Sequence, residues 1–178
     1  MKQLFLLVAL IKFNGSACAQ NVFSNEVNST LQSVILDLNN NFRNIKGEQL
    51  SQKGSQSEYN SKAIIPGSFS SSITENKRPA RSTYIWKTTL YSIKDFNEAK
   101  LKFREVFEQI NNSIIKGANE KPYILSGKYE EPRRPGSTSI QLSLLPETPE
   151  MKSVTVEVSL QHNRDWIITL RVFDKTTR

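Results

Sequence analysis

The stretch SVTVEVSLQHNRDWIITLRV, residues 153–172, decides the fold. Val154, Val156, Val158 and Leu160 alternate with Thr155, Glu157, Ser159 and Gln161; after Asn163-Arg164 the pattern resumes with Trp166, Ile168, Leu170 and Val172. Successive side chains of a strand point to opposite faces, so each run predicts a strand with one buried and one wetter face. Such alternation is the habit of antiparallel sheets, and two runs joined by a short turn read as a hairpin. Further upstream, residues 137–145 place Ile140, Leu142 and Leu144 opposite Gln141 and Ser143, and residues 123–129 form a shorter strand. Residues 83–91 are dominated by β-branched and aromatic side chains, which suit a pleated surface. Residues 59–65 and 68–75 flank Pro66-Gly67, the pair a type II turn requires, and predict another hairpin. Residues 48–58, rich in Gly, Ser and Gln, read as a loop.

Two segments carry helical spacing instead. Val27, Leu31, Val34, Ile35, Leu38, Phe42 and Ile45 recur every three or four residues, which predicts an amphipathic helix over 24–46 ended by Gly47. Its other face carries Asn28, Asn39, Asn40, Asn41 and Asn44, and Asn is a weak helix former, so this helix depends on docking its apolar stripe. The second helix is expected to begin at Ser92 as N-cap, with Asp95 near its positive end and Tyr91 stapled to Phe96. Phe96, Ala99, Phe103, Val106, Phe107, Ile110 and Ile114 line its inner face, and Gly117 closes it. These elements predict an α+β fold of order α-β-β-β-α-β-β-β-β: a mainly antiparallel, twisted sheet with both helices packed on one face.

The N-terminus predicts export. Met1-Lys2 is a short basic start, Leu4 to Ile11 an apolar core, and Ala17-Cys18-Ala19 a small-residue cleavage site before Gln20. The apolar run is shorter than the roughly 20 residues that span a bilayer, so no transmembrane segment is expected after cleavage. Domain organisation is then a signal peptide over 1–19 and a single domain over 20–178. Cys18 as a lipidated N-terminus is the secondary reading; the bulky aliphatic residue such a site favours three places earlier is lacking. The sole cysteine departs with the leader, so the mature chain has no disulfide and depends on packing alone. Secreted eukaryotic domains often use disulfides, so this tilts toward a bacterial periplasmic or secreted protein. Loss of Lys2 and Lys12 leaves 22 basic and 17 acidic residues, a charge of +5 spread along the chain. That mild excess is not the clustered basic face of a nucleic-acid binder.

Catalytic patterns are thin. His162 is the single histidine, beside a turn, and reads as a solvated turn residue. The sequence holds no Gly-x-Ser-x-Gly, phosphate loop, calcium loop or zinc spacing, and no cofactor is expected. Glu130, Glu131, Glu157 and Asp165 are the candidates for a carboxylate pair, the basis of the alternative function, a hydrolase acting on a glycan. Glu130-Glu131 lies beside Arg133-Arg134 and reads as a self-compensating loop; Glu157 faces away from the core and is expected to be solvated. The aromatic residues Tyr84, Trp86 and Trp166 read as core rather than sugar-stacking groups. Asn28 and Asn111 head glycan-acceptor triplets inside helices.

Two proline-containing basic loops are the candidate anionic-partner residues: Lys77, Arg78 and Arg81, and Arg133 and Arg134. Arginine grips carboxylates and phosphates through a planar fork, so two such loops at one end of the sheet would hold an envelope protein, a glycan or an anionic headgroup. The outer sheet face is a second candidate surface, with Lys87, Thr89, Thr155, Glu157, Ser159, Thr169 and Arg171 among Ile85, Ile167 and Phe173. The leading expectation is a small exported non-enzymatic protein that binds an envelope or extracellular partner. No motif places the chain in a known family.

Tagged full-length protein fractionated from a bacterial host is expected outside the cytoplasm, with Gln20 as its first residue by mass spectrometry. Cys18→Ser should leave processing unchanged. Lipid labelling that Cys18→Ser abolishes would instead identify an anchored N-terminus.

Overall fold

The computed structural model describes residues 19–117, 121–134 and 136–175, with side chains from residue 26 onward. The leader proposed for residues 1–19 therefore lies outside the described residues except for Ala19. The elements are α1 (Ala19–Leu38), β1 (Lys46–Lys53), β2 (Gln56–Ser61), β3 (Ser70–Asn76), β4 (Thr83–Ile93), α2 (Phe96–Ile110), β5 (Ile114–Lys116), β6 (Pro122–Gly127), β7 (Thr138–Leu145), β8 (Val154–Asn163) and β9 (Asp165–Asp174). The nine strands make one antiparallel sheet of order β1-β2-β3-β4-β9-β8-β7-β6-β5. The expected order of elements holds, with β1 and β5 added to it.

The β8–β9 hairpin behaves as its alternation requires. Val156 pairs with Val172, Val158 with Leu170 and Leu160 with Ile168, and all six are fully buried. These rows join the inner residues of α1, α2, β4 and β7 in one hydrophobic cluster. Trp86 of β4 is its largest fully buried side chain, and its indole N–H donates to Ser61 Oγ at 2.9 Å. A buried indole needs such an acceptor, because an unmet donor away from water costs about 1–3 kcal/mol.

Helix α1 stops earlier than its spacing predicts. Leu38 is its last residue, and residues 39–45 form a turn in which Asn41 and Phe42 take positive φ values of 56° and 57°. Asp37 causes the change. Its buried carboxylate accepts from Asn44 N (3.0 Å), Ile45 N (3.2 Å), Asn44 Nδ2 (2.6 Å) and Asn40 Nδ2 (3.2 Å). Asp and Asn side chains compete with helical hydrogen bonds in this way, and Asn tolerates the left-handed region. Phe42 is fully buried, so packing holds a backbone conformation that a bulky residue otherwise avoids. Phe42 and Ile45 reach the core as expected, but from a turn.

Three other segments depart from expectation. Residues 48–58 are not a loop: β1 and β2 form a hairpin turning at Gly54 (φ 58°), and β2 pairs with β3. Strand β2 ends at Ser61, and the chain crosses to β3 through Pro66-Gly67, where Gly67 has φ 78° and Ser68 N donates to Ile65 O at 3.0 Å, the bond of the expected turn. Helix α2 is capped by Asp95, which accepts from Glu98 N at 2.9 Å, not by Ser92. Ser92 remains in β4, which runs on to Ile93 to pair with Trp166. At its other end α2 stops at Ile110 rather than running to Gly117; Ile115 of β5 is buried and Ile114 is exposed.

Asp37→Ala removes four hydrogen bonds and leaves two backbone donors near the core unmet. It is expected to lower stability by about 2–4 kcal/mol, seen as a lower urea midpoint with an unchanged slope. Asn40→Ala, which loses one outer bond, should cost under about 1 kcal/mol.

Candidate functional site

The register decides which predicted residues can act together. Asn76 pairs with Thr83 across the β3–β4 turn, and Ile85 pairs with Phe173, so the 77–82 loop lies at the end of the sheet where β9 finishes. Thr138 pairs with Leu160, and β8 and β9 meet at Asn163 and Asp165, so the 128–137 loop lies at the opposite end. Lys77, Arg78 and Arg81 are therefore not brought together with Arg133 and Arg134. A sheet of this strand order sends its β3–β4 and β6–β7 connections to opposite ends, and a two-loop grip on one small anion is not available.

At the first end, Arg81 Nη2 lies 3.5 Å from Asp174 Oδ2. Lys77 N donates to Ser55 O at 2.8 Å, which ties the loop to the β1–β2 turn, while the Lys77 and Arg78 side chains are exposed. At the second end the two arginines differ. Arg133 lines an open concavity with Glu130 and Glu131. Glu131 is paired with Lys100 (2.7 Å) and Arg104 (3.4 Å), and the hydrogen bond from Lys100 is the main reason its carboxyl titrates below the ordinary range.

Arg134 has a different environment. Its guanidinium lies 4.6 Å from the centre of the Phe96 ring and 5.8 Å from that of Trp166. Those rings pack at 4.7 Å, and His162 packs on Trp166 at 4.7 Å. Phe96 is placed by the start of α2 just after its Asp95 cap, and Trp166 by its pairing with Ile93. The cation therefore rests on a rigid aromatic base, worth about 0.5–1 kcal/mol at an exposed site. Arg134, Lys94 and His162 line a concavity of about 360 Å³ over Trp166, and no carboxylate lines it among the described residues. Lys94 was not legible as a partner, because only β4 running on to Ile93 brings it beside the β8–β9 turn.

Glu157 is a correction: it is 3% exposed rather than solvated. It lies in a cross-strand row, accepting from Arg171 Nη1 at 2.9 Å and Gln141 Nε2 at 3.3 Å. Thr155, Ser159, Thr169 and Phe173 on the same rows are buried too, so the centre of the outer sheet face is not an open surface. Ser159 and Thr169 share a hydrogen bond of 2.7 Å, and Arg171 packs 5.1 Å from the Phe173 ring. Lys87 is exposed, and Ile85, Thr89 and Ile167 are half-buried. Asp165 Oδ2 accepts from Ser92 Oγ at 3.0 Å. Among the described residues no group of three or more His, Cys, Asp or Glu could hold a metal ion.

Trp86 and Trp166 are buried, as expected. Tyr84 belongs to a polar cluster that sequence spacing does not show. Its hydroxyl donates to Glu75 Oε1 at 3.0 Å, and the Tyr59 hydroxyl donates to Oε2 at 3.1 Å. Lys46 Nζ lies 3.9 Å from that carboxylate and 4.6 Å from the Tyr59 ring centre. Burial, and then the bond to Glu75, push the Tyr84 hydroxyl above its ordinary pKa. The glycan-acceptor asparagines have structural bonds: Asn28 Oδ1 accepts from Ser113 Oγ at 2.8 Å, and Asn111 Oδ1 accepts from Gly127 N at 3.1 Å.

Comparison with protein-family models, curated proteins and solved structures finds no match to this chain. Among the described residues no helix is long and apolar enough to cross a membrane.

Lys100→Ala should raise the Glu131 carboxyl toward its ordinary pKa, read by carbon-detected NMR titration. The sign follows from the lowered value: the ion pair stabilises the fold above the ordinary carboxylate range and is lost as pH falls through the Glu131 titration. A Glu131 midpoint that is the same in both proteins would show that Lys100 is not its partner in solution.

Proposed function

We propose that this chain is an exported, non-enzymatic protein that binds an anionic component of the bacterial envelope or surroundings. Binding is through Arg134, Lys94 and His162 at the β8–β9 end of the sheet. The observation that carries this reading is Arg134, held on the Phe96 and Trp166 rings at the edge of a cation-lined concavity. Ring packing restricts the guanidinium in advance, so less side-chain freedom is lost when its donors meet a carboxylate, sulfate or phosphate. Glu131, Glu157 and Asp165 are each engaged by a neighbouring side chain, which favours binding over glycan hydrolysis. We read both helices as packed on one face of the sheet; their membership of one hydrophobic cluster supports this. Export is supported by the three-part pattern of residues 1–19.

The test is titration of the mature chain with a heparin oligosaccharide, and separately with phosphatidylglycerol vesicles, which distinguishes a glycan from a headgroup. Lys94→Ala with Arg134→Ala is expected to weaken the preferred interaction about tenfold, ~1.4 kcal/mol, and salt should weaken it further. Lys77→Ala with Arg78→Ala, at the far end, should change it less than about twofold. Equal loss from both pairs, or no binding to either probe, would remove the assignment.

A further inference from the structure

Strands β8 and β9 turn tightly, with Arg164 in the turn at φ 65°, so that His162 pairs directly with Trp166. The imidazole packs on the Trp166 ring at 4.7 Å, and that ring packs in turn on Phe96. His162 is thereby held at the wall of the concavity that Lys94 and Arg134 also line, while remaining exposed to solvent. It is the only histidine in the chain. Histidine is the side chain that ordinarily changes its charge between pH 5 and 8, whereas lysine and arginine keep theirs throughout that range. Of the charged groups around the imidazole, Lys94 comes from the segment between β4 and α2 and Arg134 from the 128–137 loop. Its own hairpin adds Arg164 and Asp165, and Asp165 is engaged by Ser92 Oγ at 3.0 Å. Asp95, next to Lys94, is engaged as the cap of α2.

We propose that this concavity takes up a proton on His162 together with its anion, a regulation that rests on the anion-binding assignment made above. The protein then grips carboxylate, sulfate or phosphate groups in acidic surroundings and loosens its hold as pH rises toward about 8. A bound anion attracts an imidazolium on the same wall and accepts a charge-assisted hydrogen bond from it. Neutral imidazole has one N–H and no charge to offer. Binding and protonation therefore favour each other by the same factor. Packing on Trp166 restricts the ring in advance, so less freedom is lost when it meets the ligand.

The test repeats the heparin and phosphatidylglycerol titrations of the mature chain at about pH 5.5 and about pH 8, the two sides of histidine titration. The sulfate and phosphodiester groups of these probes keep their charge over that range, so a pH response reports on the protein. Wild type is expected to bind about tenfold more tightly at the lower pH, the effect of one charge-assisted hydrogen bond. His162→Gln should reduce that ratio to under about twofold, and His162→Arg should bind at the higher pH as tightly as wild type does at the lower. Calorimetry in two buffers of different ionisation heat should show proton uptake on binding in wild type and none in His162→Gln. Binding that needs Lys94 and Arg134 but is the same at both pH values, or a pH response that His162→Gln leaves unchanged, would overturn this inference and leave the anion site standing. No binding of either probe at either pH would remove both.

Discussion

The pairing of β4 with β9 is the constraint on which the structure depends. Strands β1 to β4 form one antiparallel group and β5 to β9 another, and the ladder from Ile85–Phe173 to Ile93–Trp166 makes them one sheet. Its partners lie far apart in the chain, so the loop closed on pairing is long, and its entropy is lost before the contacts compensate. The apolar rows on these strands supply the compensation. Trp86 faces Val172, Thr88 faces Leu170, and residues of both helices belong to the same cluster. Helix α2 contacts β4, β8 and β9 and so spans the joint between the two groups, while α1 contacts β9 and β5.

Buried carboxylates give this apolar arrangement its specificity. Glu157 accepts from Gln141 and Arg171, which lie directly across from it on the neighbouring strands. A slip of one residue would turn Glu157 into the core and the valines out of it. Asp37 acts similarly on α1, because its carboxylate accepts bonds from a turn that exists only if the helix stops at Leu38. Glu75 gathers two tyrosine hydroxyls beside a lysine on β2, β4 and the start of β1. Removing one partner from such a group costs more than the pair adds to stability, so these sites discriminate against wrong arrangements more than they strengthen the right one.

Much of this was legible from periodicity. The alternation of 153–172 gave the hairpin, and the three-and-four spacing gave the inner faces of both helices, because burial on one side imposes those periods. What could not be read had local physical causes. Strand β1 is polar apart from Gly47 and the exposed Leu50, so no period marks it; its ladder bonds come from the backbone. The end of α1 was obscured because Phe42 and Ile45 keep helical spacing while Asp37 and the asparagines break the helix. For the site, Arg134 was identified as a candidate from its chemistry, but its separation from Arg78 and its proximity to Lys94 depend on strand order, which no spacing encodes. Glu157 looked solvated because alternation assigns a face, not what covers that face.

The polar character of β1 has a consequence for the whole molecule. An open sheet ends in rows of unpaired backbone donors and acceptors, which recruit further strands and drive fibre growth. Here the outermost strand on one side begins and ends with lysine, contains a glycine, and is thrown out of register twice against β2. An incoming chain would meet a crooked, positively charged border instead of a straight template. The border strand thus disfavours edge-to-edge pairing on that side of the sheet.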